Sequence, residues 1–397
     1  MPVSNQLKSQ LGLSRILRSI SASGVLAVAF AVLACAVPAC ADHVHHLYYN
    51  NSQWQDEDLT SLTGGGIATS FGAITAFYTT PNQQFHVYYV DTNSQHVHQL
   101  YYNNTSWSDS DLTALTGGPA ASAFGISGFA LGNFQFVFYE GMDNHIHGME
   151  YLNSWSDHDL TALANGSPSG LGPVLAFATK PNNQVHVYFQ TQSSADLYQL
   201  YYNGKTWSQQ DLTSIAGAYC YSDWLSGFAI QNQQHIFCPG FGSSGTLDML
   251  HIYYNNSTWV YEDISTKVGG TPLSLGSGVA SFLIPGTKQG AVYGVTDDAH
   301  VHQYYFDKTW TDLDLTRFLN APSDPGFGGI VAFPTTPNDQ LHIYYQPSSE
   351  VYQLYFNGSN WSDQDLTGGA GQADDNSGMA GFALGNLQHV FYLGTGN

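Results

Sequence analysis

Histidine side chains at alternating positions are the residues of this chain whose types and spacing could do chemistry. In a β-strand, the two rings of a His-x-His pair project from the same face. Two such imidazoles can begin a zinc site, but the sequence marks no third ligand. Other copies of the segment carry Tyr198, Leu250 or Tyr352 at the second position, which favours packing, so we expect no metal and no cofactor. The pairs are His43/His45, His96/His98, His145/His147 and His300/His302.

A second set of polar residues combines one histidine with one carboxamide. The histidine begins segments such as His-Val-Tyr-Tyr, and the amide lies in the next strand-like segment. An imidazole and an amide on neighbouring strands, beside aromatic rings, can form hydrogen bonds while the rings stack, which suits a neutral sugar. The alternative is that these groups satisfy one another or the solvent. The histidines are His86, His186, His235, His342 and His389, and the following residues include Gln99, Gln199, Gln303, Gln353, His46 and His251.

No catalytic constellation is evident in the sequence. It contains no nucleophile elbow and no phosphate loop, and no acid pair differs from its repeated copies. Three acidic residues have no counterparts in the other repeats, namely Glu140, Glu150 and Asp223. A polysaccharide hydrolase or lyase therefore remains an alternative. We expect a protein that is not an enzyme.

The elements that must position these residues follow from an internal repeat of about fifty residues. Each repeat carries a tryptophan followed by Asp-Leu-Thr or, once, by Asp263-Ile264-Ser265. A repeated tryptophan is expected to fill the space between neighbouring units, and a repeated aspartate to accept backbone donors at a strand end. The tryptophans are Trp54, Trp107, Trp155, Trp207, Trp259, Trp310 and Trp361.

Four short strands per repeat, with apolar residues on both faces, predict a β-propeller, because neighbouring blades cover both faces of each sheet. The segment at residues 43–49 corresponds to a third strand, and residues 381–392 correspond to a first and a second strand. These two halves complete each other. We therefore predict an all-β fold, a single seven-bladed β-propeller over residues 42–397, closed by two N-terminal and two C-terminal strands that share one blade.

Charge narrows the possible partners. The chain has 30 acidic and 9 basic residues, so it lacks the Lys/Arg surface that binds phosphates, and nucleic acid is not expected as a partner. Only 10% of the residues are charged, and neutral polar side chains dominate instead. This composition suits hydrogen bonding and stacking to neutral polar ligands.

Residues 1–41 have the pattern of a secretory signal peptide. Lys8, Arg15 and Arg18 precede an apolar run, and small residues end at Ala41, where cleavage is expected. We expect a secreted, extracellular protein without a membrane span after signal removal; an uncleaved N-terminal anchor or a lipoprotein is the alternative.

Two cysteines, Cys220 and Cys238, follow the predicted signal peptide. An even pair in an exported chain suggests a disulfide, with free buried thiols as the alternative.

At its histidine and glutamine positions the chain resembles the fungal fucose-specific lectin family of β-propeller lectins. That family holds fucose with Arg and Glu from one blade and Trp from the next, on a six-bladed propeller. The resemblance places His86, Gln99 and Phe129 at the Arg, Glu and Trp positions. Because these residues change the donor, remove the charge and remove the N–H, the resemblance implies a shallow site at each blade interface rather than fucose specificity. The equivalent sets are His186/Gln199/Phe228 and His342/Gln353/Phe382.

The sequence thus predicts a secreted, non-catalytic lectin with several similar sites for fucose or a related neutral sugar on glycans or glycoconjugates. The alternative from another class is an extracellular scaffold for protein interaction or adhesion. The sequence does not predict the oligomeric state. The candidate sugar-binding residues are His46, His86, Gln99, Tyr102, Trp107, Phe129, His186, Gln199, Tyr202, Phe228, Gln303, His342, Gln353, Phe382 and His389.

Overall fold

Seven antiparallel sheets of four strands make up the described part of the chain. The predicted signal peptide, residues 1–41, lies outside that part and stays a prediction. The computed structural model describes residues 42–50, 53–70, 72–170, 172–191, 196–221, 224–242, 245–324, 328–367, 373 and 377–396.

Each sheet is one blade, and six of the seven blades use four consecutive strands. The chain begins with β1 (Asp42–Asn50) and β2 (Gln53–Asp58). Blade 1 contains β3 (Ile74–Tyr78), β4 (Phe85–Val90), β5 (Val97–Tyr102) and β6 (Trp107–Asp111). Blade 2 contains β7 (Ala121–Leu131), β8 (Phe134–Gly141), β9 (Ile146–Tyr151) and β10 (Trp155–Asp159). Blade 3 contains β11 (Val174–Ala178), β12 (Val185–Gln190), β13 (Leu197–Tyr202) and β14 (Trp207–Asp211).

The remaining blades follow the same order. Blade 4 contains β15 (Ser226–Ile230), β16 (Gln233–Phe241), β17 (Leu247–Tyr254) and β18 (Trp259–Asp263). Blade 5 contains β19 (Val279–Leu283), β20 (Gly290–Val295), β21 (Val301–Asp307) and β22 (Thr309–Asp314). Blade 6 contains β23 (Val331–Pro334), β24 (Leu341–Tyr345), β25 (Tyr352–Phe356) and β26 (Trp361–Asp365). Blade 7 joins β27 (Met379–Leu384) and β28 (Leu387–Thr395) to β1 and β2.

Blade 7 closes the ring with strands from both ends of the chain. In it β1 pairs with β28, so that His46 lies opposite Phe391 and Leu47 opposite Val390. Its innermost strand, β27, contacts the innermost strands of blades 1 and 6. The predicted seven-bladed, all-β propeller and its shared blade are therefore confirmed.

The innermost strands surround a central cavity of about 500 Å³. Among the described residues that line it there is no carboxylate, and each blade or the segment leading into it contributes an apolar side chain. These side chains are Ile74, Ile126, Val174, Leu225, Val279, Ile330 and Met379.

The repeated tryptophans pack between blades, as predicted. Trp155 of blade 2 lies edge-on to Tyr88 of blade 1, with ring centroids 6.2 Å apart. Such edge-to-face pairs add about 0.5–1.5 kcal/mol to the effect of burial. The same arrangement joins Trp54 to Tyr344, Trp107 to Phe391, Trp207 to Phe138, Trp259 to Tyr188 and Trp310 to Phe237.

Six of the seven Asp-Leu-Thr or Asp-Ile-Ser segments begin single-turn helices, which the sequence did not predict; the exception within the described residues is Asp365-Leu366-Thr367. Asp111 ends β6 and caps the helix after it, accepting a hydrogen bond from the Ala114 N–H at 2.8 Å. The Thr113 hydroxyl accepts a hydrogen bond from the Val97 N–H at 2.9 Å and so ties the helix to β5. The predicted structural role of this segment is confirmed. The described helices are α1 (Leu59–Thr63), α2 (Leu112–Thr116), α3 (Leu160–Ala164), α4 (Leu212–Ala216), α5 (Ile264–Val268) and α6 (Leu315–Leu319).

Cys220 and Cys238 are joined by a disulfide within blade 4 and the segment that leads into it. The sequence had left this bond and free thiols as equal alternatives. None of the helices in the described part of the chain combines the length and the apolar character that crossing a membrane requires.

Candidate functional site

The predicted histidine–glutamine pairs form, but they lie inside the protein. Gln99 Nε2 is 3.0 Å from His86 Nδ1 and donates to Gln135 Oε1 of the next blade at 2.9 Å. The other ring nitrogen, His86 Nε2, lies 3.2 Å from the Thr79 hydroxyl. Burial lowers the pKa of His86 to about 4, so the ring is neutral at pH 7. Its hydrogen bonds are thus made within the protein.

The same closed network recurs in blades 3 and 6. Gln199 Nε2 lies 2.9 Å from His186 Nδ1, and Gln353 Nε2 lies 3.0 Å from His342 Nδ1. In blade 5, where no histidine is present in the second strand, Gln303 donates to the Tyr293 hydroxyl at 2.8 Å. All of these side chains are buried, and their role in sugar binding stays a prediction.

The phenylalanines of the predicted trios pack elsewhere. Phe129 lies against Phe136 and Phe138 of its own blade, with centroids 5.4 and 6.0 Å apart. The first-strand phenylalanine that meets His86 is Phe77, from the same blade, at 5.9 Å. Phe228 and Phe382 likewise pack on His235 and His389 of their own blades. The structure therefore joins the imidazole to the amide but not to the phenylalanine that the resemblance assigned.

An open cleft of about 620 Å³ lies between blade 7 and blade 1. It brings together four of the predicted residues, His46, His389, Tyr102 and Trp107. Tyr48, Glu57, Leu62, Phe85, Thr105 and Ser106 complete the lining, and none of these six was predicted.

One side of this cleft is a stack of rings from blade 7. His46 lies between Phe391, at 4.6 Å and 10°, and Tyr48, at 4.7 Å and 25°. Its Nε2 shares a hydrogen bond of 3.0 Å with His389 Nδ1. Burial, with His46 adding to it, lowers the pKa of His389 to about 3, and burial also lowers the pKa of His46. Both rings are therefore neutral at pH 7.

The other side of the cleft is a set of aromatic rings from blade 1. Tyr102 packs on Trp107 at 5.4 Å and on Phe85 at 5.7 Å. Trp107 also meets His46 edge-on at 5.5 Å, and Phe85 approaches His389 to 4.5 Å. These contacts hold the two sides of the cleft together.

Glu57 supplies the negative charge of the cleft. Its carboxylate accepts a hydrogen bond from the Tyr48 hydroxyl at 3.1 Å, and 40% of its side chain is exposed. The His46 imidazole, whose Nδ1 lies 3.9 Å from Glu57 Oε2, holds the pKa of Glu57 below its usual value. Burial and the Glu57 charge raise the pKa of Tyr48 to about 12. The cleft thus offers an ionised acceptor beside exposed aromatic surface.

Blade 4 repeats this arrangement at its boundary with blade 5. His251 stacks on Phe237 at 4.6 Å and 10°, and Trp310 meets it edge-on at 5.6 Å. Glu262 accepts hydrogen bonds from His251 Nδ1 at 2.9 Å and from Trp310 Nε1 at 2.7 Å. Lys267 Nζ donates to the same carboxylate at 2.5 Å.

The His-x-His pairs face aspartates of the fourth strand. His96 Nδ1 lies 2.7 Å from Asp111 Oδ2, and His98 Nδ1 lies 3.0 Å from Asp109 Oδ2. In two blades a further aspartate brings three or more possible ligand atoms within reach of one ion. These groups are Asp298/His300/His302/Asp314 in blade 5 and Asp143/His147/Asp159 in blade 2.

The remaining predicted residues lie apart from the open cleft. Tyr202 packs on Trp207 at 5.5 Å, which repeats the Tyr102–Trp107 contact in blade 3. Glu140, one of the acids that kept a hydrolase open, is buried and accepts the Gly172 N–H at 2.9 Å. Burial raises the pKa of Glu150. Asp223 lies outside the described residues.

Comparison with known proteins identifies a family that this chain resembles. Residues 17–210 match the model of the fungal fucose-specific lectin family. The predicted resemblance to that family is therefore confirmed over this part of the chain. No curated protein matches the chain.

Solved structures of fungal lectins share the propeller fold. The Aleuria aurantia lectin in complex with Fucα1-6GlcNAc aligns with a TM-score of 0.52 at 15% identity, over 78% of this chain and 98% of that chain. Another structure of this lectin, described as a six-bladed β-propeller, aligns with a TM-score of 0.52 at 14% identity, over 78% of this chain and 98% of that chain. The AofleA protein of Arthrobotrys oligospora gives 0.51 at 12% identity, over 81% and 89%. The chain is thus similar in fold to fungal lectins but has seven blades.

Proposed function

We propose that this protein is a secreted, non-catalytic lectin whose principal site is the cleft between blades 7 and 1. The observation that carries the proposal is an open cleft in which Glu57 lies beside Trp107 and Tyr102. Aromatic rings stack on the apolar face of a sugar, and an ionised carboxylate accepts hydrogen bonds from its hydroxyl groups. The family match supports fucose or a related neutral sugar as the ligand.

Several similar sites were expected, one at each blade interface. Two boundaries have the stacked-histidine arrangement, and the glutamate is more exposed between blades 7 and 1 than between blades 4 and 5. We therefore assign the blade 7–blade 1 cleft the highest affinity. Weaker binding at other interfaces, for example beside Tyr202, would add avidity on a surface that carries many glycans. Titration with a free sugar would give the number of sites.

A glycan array with the protein lacking residues 1–41 tests the proposal. The protein should bind immobilised fucosylated or related neutral glycans. Absence of binding to every glycan, at a density where multivalency operates, would overturn it.

A pair of matched variants tests the position of the site. Tyr102→Ala should lower the affinity for the best array ligand about tenfold, because it removes one of the three aromatic rings that blade 1 contributes to the cleft. Tyr202→Ala removes the corresponding ring in blade 3 and should change the affinity little. Equal losses in both variants would refute the assignment to the blade 7–blade 1 cleft.

Export is a separate part of the proposal. Protein recovered from the growth medium should begin at Asp42, as N-terminal sequencing would show. Retention of residues 1–41 would instead support an N-terminal anchor.

An interaction scaffold is the second candidate, and a repeated apolar side chain on the single-turn helices favours it. These side chains are 47–64% exposed in five of the six described helices. A protein partner whose binding survives free monosaccharides but is lost in Leu115→Ser/Leu163→Ser would support this function. The side chains are Leu62, Leu115, Leu163, Ile215 and Phe318.

A further inference from the structure

The Asp-x-His-x-His segment of blade 5 gathers four possible metal ligands beside β22. His300 immediately precedes β21, and His302 is the second residue of that strand. Asp314 is the last residue of β22. Asp298, in the turn before β21, completes the group. Because the two histidines alternate along the chain, both rings lie on the side of the sheet that faces these carboxylates.

His302 has the features of a prepared metal ligand. Its side chain is 5% exposed, and its Nδ1 lies 2.8 Å from Asp312 Oδ1. A carboxylate that accepts the Nδ1 proton fixes the tautomer in which Nε2 carries a lone pair. Within the described part of the chain, that Nε2 is buried and has no hydrogen-bond partner.

The carboxylates point at this nitrogen without bonding to it. His302 Nε2 lies 3.9 Å from Asp298 Oδ1 and 3.8 Å from Asp314 Oδ2. Asp314 Oδ1 accepts the Arg317 N–H at the start of α6, at 2.9 Å, which leaves Oδ2 to face the histidines. A tetrahedral zinc ion with bonds of about 2.0–2.1 Å separates its ligand atoms by roughly 3.3–3.5 Å, so the gaps match an ion better than direct hydrogen bonds.

His300 closes the group from the solvent side. Its Nδ1 lies 3.7 Å from Asp298 Oδ2 and 2.7 Å from Asp314 Oδ2. The shorter of these distances is a hydrogen bond that would have to open by roughly half an ångström to admit a metal. Metal binding therefore requires that the hydrogen bond between His300 and Asp314 is replaced by one metal bond from each of these residues.

We propose that blade 5 carries a binding site for a divalent transition metal ion of the Zn²⁺ type, a property independent of sugar binding. Two imidazoles and two carboxylates form a donor set that suits Zn²⁺. The ligands are His300 Nδ1, His302 Nε2 and one oxygen each from Asp298 and Asp314.

Blades 1 and 2 show which feature makes blade 5 different. Blade 1 has Ser94 at the position of Asp298, so one carboxylate is missing there. Blade 2 has Asp143 at that position, but its Oδ2 already lies 3.1 Å from His147 Nε2. In blade 5 the corresponding nitrogen is unpartnered, and the site should therefore bind more tightly than its copy in blade 2.

Zinc binding to the full protein, prepared without a polyhistidine tag, tests the proposal. Metal retained after equilibrium dialysis against Zn²⁺ should decrease by one ion per chain in Asp298→Ser, which installs the residue that blade 1 tolerates. Asp297→Ser removes the same charge from the adjacent exposed position and should retain the ion. An equal zinc content in wild type and Asp298→Ser would overturn the proposal.

Co²⁺ provides a second readout, which reports the coordination geometry of the bound ion. Four protein ligands in a tetrahedron should give the intense visible absorption of tetrahedral Co²⁺, and this absorption should be lost in Asp298→Ser but kept in Asp297→Ser. Weak octahedral absorption, or no difference between the two variants, would show that the group is a set of histidine–aspartate ion pairs and would refute the metal site.

Discussion

Two blade boundaries contain the same frame of rings but differ in how far their glutamate is exposed to solvent. One lies between blades 7 and 1, and the other lies between blades 4 and 5. In both, a third-strand histidine stacks on a phenylalanine at 4.6 Å and 10°, with the next tryptophan edge-on. Both blades also place a glutamate one residue before the helix-capping aspartate. The frame is therefore a packing unit, and its presence alone does not make a binding site.

The difference lies in what surrounds the glutamate. The Glu262 side chain is 21% exposed, against 40% for Glu57. Leu62 stands where blade 4 has Lys267, so blade 7 has no ammonium group at that position to neutralise its carboxylate. Gly290 stands where blade 1 has Phe85, so one aromatic ring of the cleft is missing between blades 4 and 5. The cleft between blades 7 and 1 is thus distinguished by two features. No lysine neutralises the Glu57 carboxylate, and blade 1 contributes the aromatic ring of Phe85 that blade 5 lacks.

Glu57→Gln should have the largest effect on sugar affinity of the substitutions that compare the two boundaries. A charge-assisted hydrogen bond contributes about 1.5–3 kcal/mol, so sugar affinity should fall roughly ten- to hundredfold, as measured by titration calorimetry with the best array ligand. Glu262→Gln is the matched control and should leave the affinity unchanged. Equal losses in both variants would show that the two boundaries are equivalent.

Acid pH should weaken the ring stacks at both boundaries alike. Burial and the paired histidine lower the pKa of His389 and of His235 to about 3 in the folded protein, below the usual value of 6.5. Each neutral ring therefore contributes stability above pH 6.5 that is lost as the pH falls towards 3, on the order of 1–3 kcal/mol per group.

Urea unfolding at pH 7.5 and pH 4.5 would measure this effect. The loss of unfolding free energy on acidification should be smaller in His389→Gln and in His235→Gln than in the wild type. An unchanged loss in one variant alone would show that the two stacks differ in more than access.

Gln99→Leu separates the closed network from the open cleft. The substitution leaves His86 Nδ1 without its buried partner and removes one of the two donors to Gln135 Oε1, the other being the Tyr88 hydroxyl. It should cost about 1–3 kcal/mol of unfolding free energy, measured by urea denaturation. Sugar affinity at the blade 7–blade 1 cleft should not change. A loss of binding at constant stability would instead make the histidine–glutamine pairs part of the site.

Lys267→Leu should have the smallest effect. It installs the residue of blade 7 in blade 4 and removes an ion pair whose lysine is 56% exposed, so the unfolding free energy should fall by no more than about 1 kcal/mol. The pKa of Glu262, which its hydrogen-bond donors lower to about 2 against the effect of burial, should rise. Carboxyl NMR titration would detect the change, and an unaltered pKa would leave the remaining donors as its sole cause.

The sequence predicted the blades because each repeat constrains the others. A tryptophan at a fixed place in seven copies has one physical explanation, the space between blades, and the structure places it there. The single-turn helices were missed because five residues such as Leu112–Thr116 are too short to show helical periodicity.

The proposed site was predicted less completely because its residues vary from blade to blade. His46, His389, Tyr102 and Trp107 were found, but Glu57 and Phe85 were not, since neither belongs to the repeated motif. The position of Glu57 holds serine in blade 1 and leucine in blade 5, and such variation at a fixed place was the available signal. The structure does not bring Phe129 to His86, because neighbouring residues of a strand project from opposite faces and it is Gly128 that faces blade 1.

The hydrogen bond between His46 and His389 joins residues that are 343 positions apart. One wall of the cleft therefore needs both the third strand at the start of the propeller and the second strand at its end. A chain without β28 would have six complete sheets, but β1 and β2 would lack the strand that joins them to β27, so this chain would have no complete cleft. Binding at this boundary would consequently report that β28 is present and has paired with β1.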